Sequence, residues 1–229
     1  MSRSILDLVK DAVRAKGVTA PASVVSADDF PQQLLNLAKE TATDLLSRPI
    51  DWQILIQEGT FTTVSGESQI TLLANFPYLK KIVDGTVWDR TSQQPMRIVS
   101  PQAWQSMKAQ GFTANPYVYR IRGGVWIMPE STSSGKTIGF EYFDNRAWST
   151  SDGVTRKEIP DADTDRFLLP DDLLLLGVRW RFLEAKGLEY GEPFRLYEDR
   201  ISKAITDDKP AEILNVNGSR SADPCGPSI

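Results

Sequence analysis

Phe167-Leu-Leu-Pro-Asp-Asp-Leu-Leu-Leu-Leu-Gly-Val-Arg-Trp-Arg-Phe-Leu183 is the stretch that decides how this chain folds. The acidic pair Asp171-Asp172 follows a proline and faces the positive end of a helix, so it is expected to cap one. Leu173, Leu176 with Gly177, Trp180 and Leu183 then share a face at helical spacing. Gly187 or Gly191 closes the segment. Glu192-Pro193 opens a further helix with Phe194, Tyr197, Ile201 and Ile205 inward. A short join makes the two antiparallel neighbours. Each buries only one face, so the pair needs partners from elsewhere in the chain.

Those partners stand at the other end of the sequence. Ile5, Leu8, Val9, Ala12 and Val13 recur at i, i+3, i+4, i+7 and i+8, with Ser2 or Ser4 as cap and Gly17 and Pro21 as stop. Asp28-Asp29-Phe-Pro31 opens a second helix, whose stripe is Leu34, Leu37 with Ala38, Thr41 and Leu45 and which Arg48-Pro49 ends. Between the helix pairs the texture is β-branched and aromatic: Trp52–Gln57, Thr60–Val64, Ser68–Leu72, Lys81–Trp88, Met96–Val99 and Thr137–Phe143. Ser100–Lys108 reads as a short helix among these strands. Gly123-Gly124 marks a two-residue hairpin between Tyr117–Arg122 and Val125–Met128.

The expected fold class is therefore α+β. Residues 1–49 and 166–207 form a discontinuous four-helix bundle, and 50–150 an inserted antiparallel β-sandwich or barrel. Residues 151–165 are an acidic linker, and 208–229 an extended C-terminal arm and tail.

Composition narrows function by exclusion. The 229 residues include no histidine and a single cysteine, Cys225. No Ser-His-Asp or Cys-His relay, no histidine metal site and no multi-thiolate zinc site can be built. Carboxylate, lysine, serine or tyrosine chemistry remains open. Twenty-six basic and 30 acidic residues give a net charge of −4, which opposes broad electrostatic capture of nucleic acid. No apolar run approaches the roughly 20 residues of a membrane span, and the first ten residues carry too much charge for a signal-peptide core. The protein is expected to be made in the cytoplasm, without cofactor or metal.

Several near-motifs fail at named residues. Ser134-Gly-Lys-Thr137 looks like the end of a phosphate loop, but Glu130 stands where its first glycine belongs, and a strand follows where a helix should. Asp161, Asp163 and Asp165 have the 1-3-5 spacing of a calcium loop, with Asp172 at the twelfth place, yet Arg166 occupies the position needing glycine. A solvated acidic loop, or one meeting a neighbour's basic face, is the plainer reading. Six tryptophans, Trp52, Trp88, Trp104, Trp126, Trp148 and Trp180, are read as mainly the core of the β region rather than a sugar platform. Arg97, Arg120 and Arg122 form a solvated stripe or a contact for a partner's carboxylates. Pro210, Ile213, Leu214 and Val216 belong to a short apolar segment that either adds to another chain or folds back on its own bundle.

The opening Ser4-Ile-Leu-Asp-Leu-Val-Lys-Asp-Ala-Val helix, the Leu34–Leu46 helix, the strand-rich middle from Trp52 and the Phe167–Leu183 stretch followed by Gly191-Glu-Pro resemble the head-to-tail adaptor proteins of tailed bacteriophages. The resemblance is especially to the tail-tubular-A-like adaptors of short-tailed phages, over residues 1 to about 216. The resemblance implies a non-enzymatic virion protein of the neck, forming a twelve-subunit ring under the portal protein. It extends the DNA channel, docks a tail or nozzle protein, and lets genomic DNA pass without specific binding and without membrane contact. By the same resemblance Pro210, Ile213, Leu214 and Val216 lie in a portal-contacting arm. Asp161, Asp163 and Asp165 form an acidic loop lining the channel or facing another subunit. The alternatives are a glycan-binding β-sandwich on a helical stalk, which needs two or more tryptophans exposed on one face, and a carboxylate hydrolase, which needs two acids converging in a pocket.

Overall fold

A computed structural model describes residues 3–111, 117–129 and 134–208. Helix α1 (Ile5–Arg14) buries all five residues of its expected stripe, and Ser4 Oγ accepts the Asp7 N–H at 3.2 Å. Helix α2 (Asp29–Ser47) buries Leu34, Leu37, Ala38, Thr41 and Leu45 as its spacing predicts, and ends at Arg48 before Pro49.

The strand region opens later than expected. Gln53–Leu55 is a 3-10 turn, and β1 (Ile56–Thr62) starts only after it. Then come β2 (Ser68–Thr71), the single turn α3 (Leu72–Asn75), β3 (Leu79–Ile82), β4 (Trp88–Asp89), β5 (Gln94–Pro95) and β6 (Arg97–Ile98). The Lys81–Trp88 run, read as one strand, is broken at Asp84-Gly85, where Gly85 takes φ +78° and turns the chain. Helix α4 (Pro101–Ala109) is the expected insertion, with Ser100 Oγ accepting the Ala103 N–H. It is followed by β7 (Val118–Arg122), β8 (Val125–Ile127) and the long β9 (Thr137–Asp144).

Two open sheets result, and the barrel expectation is corrected: neither closes. One has the order β1-β9-β4-β5 with β3 also on β9, and the other the order β2-β8-β7-β6. Pairing is antiparallel except that β6 runs parallel to β7. Helix α4 lies between those two strands in the chain and supplies the crossover a parallel pair requires. The sheets face each other across Trp126, whose ring lies 4.4 Å from Tyr119, 5.1 Å from Phe61 and 5.3 Å from Phe140. On the other face of β7 and β8, Trp104 of α4 packs with Val118 and Ile127.

The expected hairpin is present. Gly123 and Gly124 take φ +58° and +75°, with open space where a side chain would stand. Alanine at either position is expected to lower stability by about 1–2 kcal/mol from backbone strain alone. Urea unfolding of each variant measures it, and adding the two should leave the sheets weaker than either.

Strands β10 (Trp148–Ser149), β11 (Arg156–Lys157) and β12 (Arg166–Phe167) form a third small sheet leading into α5 (Asp171–Ala185) and α6 (Gly191–Asp208). Gly187, at φ +64°, follows the end of α5, while Gly191 begins α6. Pro170 rather than the acidic pair occupies the α5 cap position, with Asp171 and Asp172 inside the first turn. The α5 face is also wider than its stripe predicted: Leu174, Val178 and Phe182 are buried with Leu173, Gly177 and Leu183, while Leu176 and Trp180 are half-buried. The reason is that α5 contacts α1, α2 and α6 together, and α1 also meets α2. On α6, Tyr197, Ile201 and Ala204 are buried, whereas Phe194 is exposed and meets Trp180 edge to face with ring centres 5.1 Å apart. Among the described residues no helix is long and apolar enough to cross a membrane.

Candidate functional site

The acidic loop turns inward. Asp165 is 1% exposed, and its carboxylate accepts from Lys157 Nζ at 2.8 and 3.0 Å and from the backbone N–H groups of Asp161 and Ala162 at 2.9 and 3.0 Å. Burial alone would raise its pKa, but these donors outweigh it and hold the carboxyl below the ordinary carboxylate range. Asp163 Oδ1 accepts the Val24 N–H at 2.8 Å. The carbonyls of Asp165 and Asp163 accept the N–H groups of Ile5 and Leu6, donors that α1 cannot pair within itself. Only Asp161 keeps an exposed carboxylate, beside Lys157. The calcium-like spacing thus serves a knot that fastens the start of α1 and the α1–α2 connection. Lys157, four residues before Asp161 and eight before Asp165, was the signal for that knot in the sequence.

A second polar cluster joins α2, α5 and α6. Tyr197 Oη donates to Asp44 at 2.8 Å, Arg48 forks onto Glu198 at 2.6 and 2.8 Å, and Arg181 donates to Thr41 Oγ1 at 3.2 Å. Burial pushes the Tyr197 hydroxyl up, and the Asp44 carboxylate adds to it. For Asp44, burial is outweighed by the Tyr197 and Arg48 hydrogen bonds, so its carboxyl sits low.

Cations tie the sheets to the helices. Lys80 on β3 donates to the Leu46 carbonyl at 2.7 Å, where the end of α2 leaves acceptors free. Lys81 pairs with Asp51 at 2.9 Å. Arg156 donates to the carbonyls of Leu55 and Ile54 at 3.1 and 2.9 Å. Arg146 holds the fully buried Asp144 and lies 4.1 Å from the Tyr78 ring centre. Trp52, Leu55, Trp148 and Phe167 pack into the helical core, so two tryptophans read as part of the β core belong to the joint instead.

Other expected features resolve as packing. At the phosphate-loop-like segment, Thr63 O accepts the Gly135 N–H and Thr63 Oγ1 the Lys136 N–H, and Lys136 Nζ pairs with the buried Asp89 at 3.1 Å. Glu130 lies outside the described residues. Arg97, Arg120 and Arg122 lie on β6 and β7, and Arg122 approaches Glu67, which also pairs with Lys108. Of the six tryptophans only Trp88 is classed as exposed, which leaves the glycan platform without its second ring. Asp44, Asp89, Asp152, Asp165 and Glu192 all move down in pKa; none is raised toward the neutral form a general acid needs at neutral pH.

Two mainly apolar concavities share Asp208, where α6 ends. A groove of about 520 Å³ is lined by Arg48, Pro49, Ile50, Asp51, Ile205 and Asp208. Another, of about 460 Å³, runs past Ile54, Leu168, Leu169 and Pro170 on the other side of Asp208. Asp208 itself accepts the Gln53 N–H at 2.8 Å. Pro210, Ile213, Leu214 and Val216 lie outside the described residues.

Comparison with known proteins fits this assembly-type geometry. A family model described as SU10 adaptor protein matches residues 3–214. A search of curated proteins returns no match.

Proposed function

The chain belongs to the SU10 adaptor protein family, and from that premise we propose that it serves as a ring-forming head-to-tail adaptor in the neck of a tailed phage. In this reading it is a structural protein rather than an enzyme. Copies form a twelve-subunit ring under the portal, extend the DNA channel and dock a tail or nozzle protein, in the manner of the tail-tubular-A-like connectors. The helices gathered about α5 make a four-helix wall for the ring, and the two sheets form an inserted unit beside it.

The observation that carries the reading is a family match running through all six described helices and all three sheets and past the last described residue. The cation-tied joint supports it, because a neck ring must transmit load between its parts without hinging. The −4 charge supports the DNA part: a channel through which DNA slides should not grip phosphates. With Asp165 inside, Asp161 is the acid left to face the channel or a neighbouring subunit.

Residues Pro210, Ile213, Leu214 and Val216 are the proposed portal-contacting arm. Cutting the chain after Asp208 keeps the Gln53 contact and all six helices. The truncated protein is expected to be soluble, with an unchanged melting temperature, and to lose capture by purified portal in a pull-down. Full capture without the arm, or the absence of copies between portal and tail in cryo-EM of the particle neck, would overturn the reading.

A further inference from the structure

We infer that the outer face of the first sheet carries a binding site for a single neutral pyranose ring, built around Trp88. Three departures from ordinary sheet design line one concavity of about 390 Å³, against about 300–1,000 Å³ for small-molecule sites. The first is Trp88 itself, 45% exposed on β4, while the other five tryptophans are buried or half-buried. The second is Gly139, which stands opposite Trp88 on β9. A side chain there would overlap the Arg90 guanidinium, so the bare backbone is what lets Arg90 lie down across β9. The third is Gln93, at φ +55° in the β4–β5 loop. That left-handed position ordinarily belongs to glycine or asparagine, and glycine would serve the hairpin better. Strain kept where the fold gains nothing from it points to a use for the side chain.

The chemistry of the lining selects the ligand. Trp88 offers a wide π face to C–H groups. Its indole N–H and the Gln93 amide make no hydrogen bond among the described residues, which leaves donors and an acceptor for hydroxyl groups. Arg90 pairs with Glu58, so the cavity holds no unmatched charge for an ionic ligand. Thr86 Oγ1 donates to the Val83 carbonyl and accepts the Glu141 N–H, and so serves as wall. A ring with an apolar face and hydroxyls around its rim fits this set. A proline-rich segment does not, because such segments dock in aromatic-lined grooves, and Trp88 is the one aromatic among the described lining residues. One ring also means one sugar: an extended glycan platform needs a second tryptophan, whereas a single stack on Trp88 does not. Trp88 belongs to neither the helical core nor the joint, so the site does not rest on the adaptor reading.

The test uses the full chain with isotopically labelled tryptophan and follows the six indole N–H signals by NMR. Trp88→Phe identifies the Trp88 signal by its loss. The probes are the methyl pyranosides of glucose, galactose, mannose and N-acetylglucosamine. At least one is expected to move the Trp88 signal saturably at millimolar concentration and to leave the other five in place. Sorbitol, an open-chain polyol without a ring face, should move none. Gln93→Gly separates site from fold: it relieves the backbone and should raise the urea midpoint, yet weaken sugar binding about tenfold, the scale of one good polar contact. Signals that stay in place with every pyranoside would overturn the inference, as would an equal shift with sorbitol or an unchanged affinity in Gln93→Gly. A saturable shift with a polyproline peptide and with no sugar would assign the cavity to a protein partner and overturn it as well. None of these readouts uses portal, so failure here leaves the adaptor reading standing, and the reverse.

Discussion

Asp165→Ala is expected to lower the stability of this protein by about 3 kcal/mol or more, the range for removing one partner of a buried ion pair. The carboxylate accepts four hydrogen bonds. Without it the Asp161 and Ala162 N–H groups lose their acceptor and Lys157 keeps only the exposed Asp161. The loop also presents the carbonyls that receive Ile5 and Leu6, so the damage spreads to the first turn of α1. Urea unfolding at neutral pH measures the loss, and Asp165→Asn, which retains an oxygen acceptor, should lose less.

The same group gives the pH dependence its sign. A carboxyl whose folded pKa is depressed contributes fully above its unfolded pKa, about 3.9, and the contribution disappears as pH falls through the folded value. Asp165, Asp89 and Asp44 all move in that direction. The wild-type urea midpoint should hold from pH 7 to about 5 and then fall steeply below about 4. Asp165→Ala should show a shallower fall. An equal slope in both proteins would remove Asp165 from the account.

Gly177→Val is expected to cost about 3 kcal/mol, the upper end of ordinary overpacking. A side chain at position 177 would overlap Thr41 Cγ2, because α5 and α2 touch backbone to side chain at this point. The neighbour cannot simply turn away: Thr41 Oγ1 donates to the Leu37 carbonyl at 2.7 Å and accepts from Arg181. Thr41→Ser keeps the hydroxyl and removes the obstructing methyl. Gly177→Ala should therefore be much milder in the Thr41→Ser background than alone, and a double-mutant cycle reads that coupling directly.

Much of the helical part was legible in the sequence because α1 and α2 each bury one clean face. The glycine pair and the Ser100 cap were legible because each has a local conformational cause. The face of α5 was not, since a helix covered on three sides blurs its own periodicity. Trp52 and Trp148 sit in a strand-like neighbourhood, yet their rings are claimed by the helical core across the joint. The parallel β6–β7 pair hid behind α4, whose crossover role no periodicity signals. At the acidic loop, spacing alone could not separate a solvated segment from a buried knot. The difference lies with Lys157 and with backbone donors brought in from Val24, Ile5 and Leu6, residues far away in the chain.

That distance carries a consequence for synthesis. Helices α1 and α2 leave the ribosome first, but the surface that covers them, α5, follows only after both sheets have been made. Both sheets draw all their strands from ahead of α5, although β1 must wait for β9 and β2 for β8, so they can close while translation continues. Until Leu183 emerges, the apolar stripes of α1 and α2 lack the helix that covers most of them. Its vulnerable interval is therefore set by elongation through the middle of the message, and a pause there exposes the chain to aggregation or to chaperone capture.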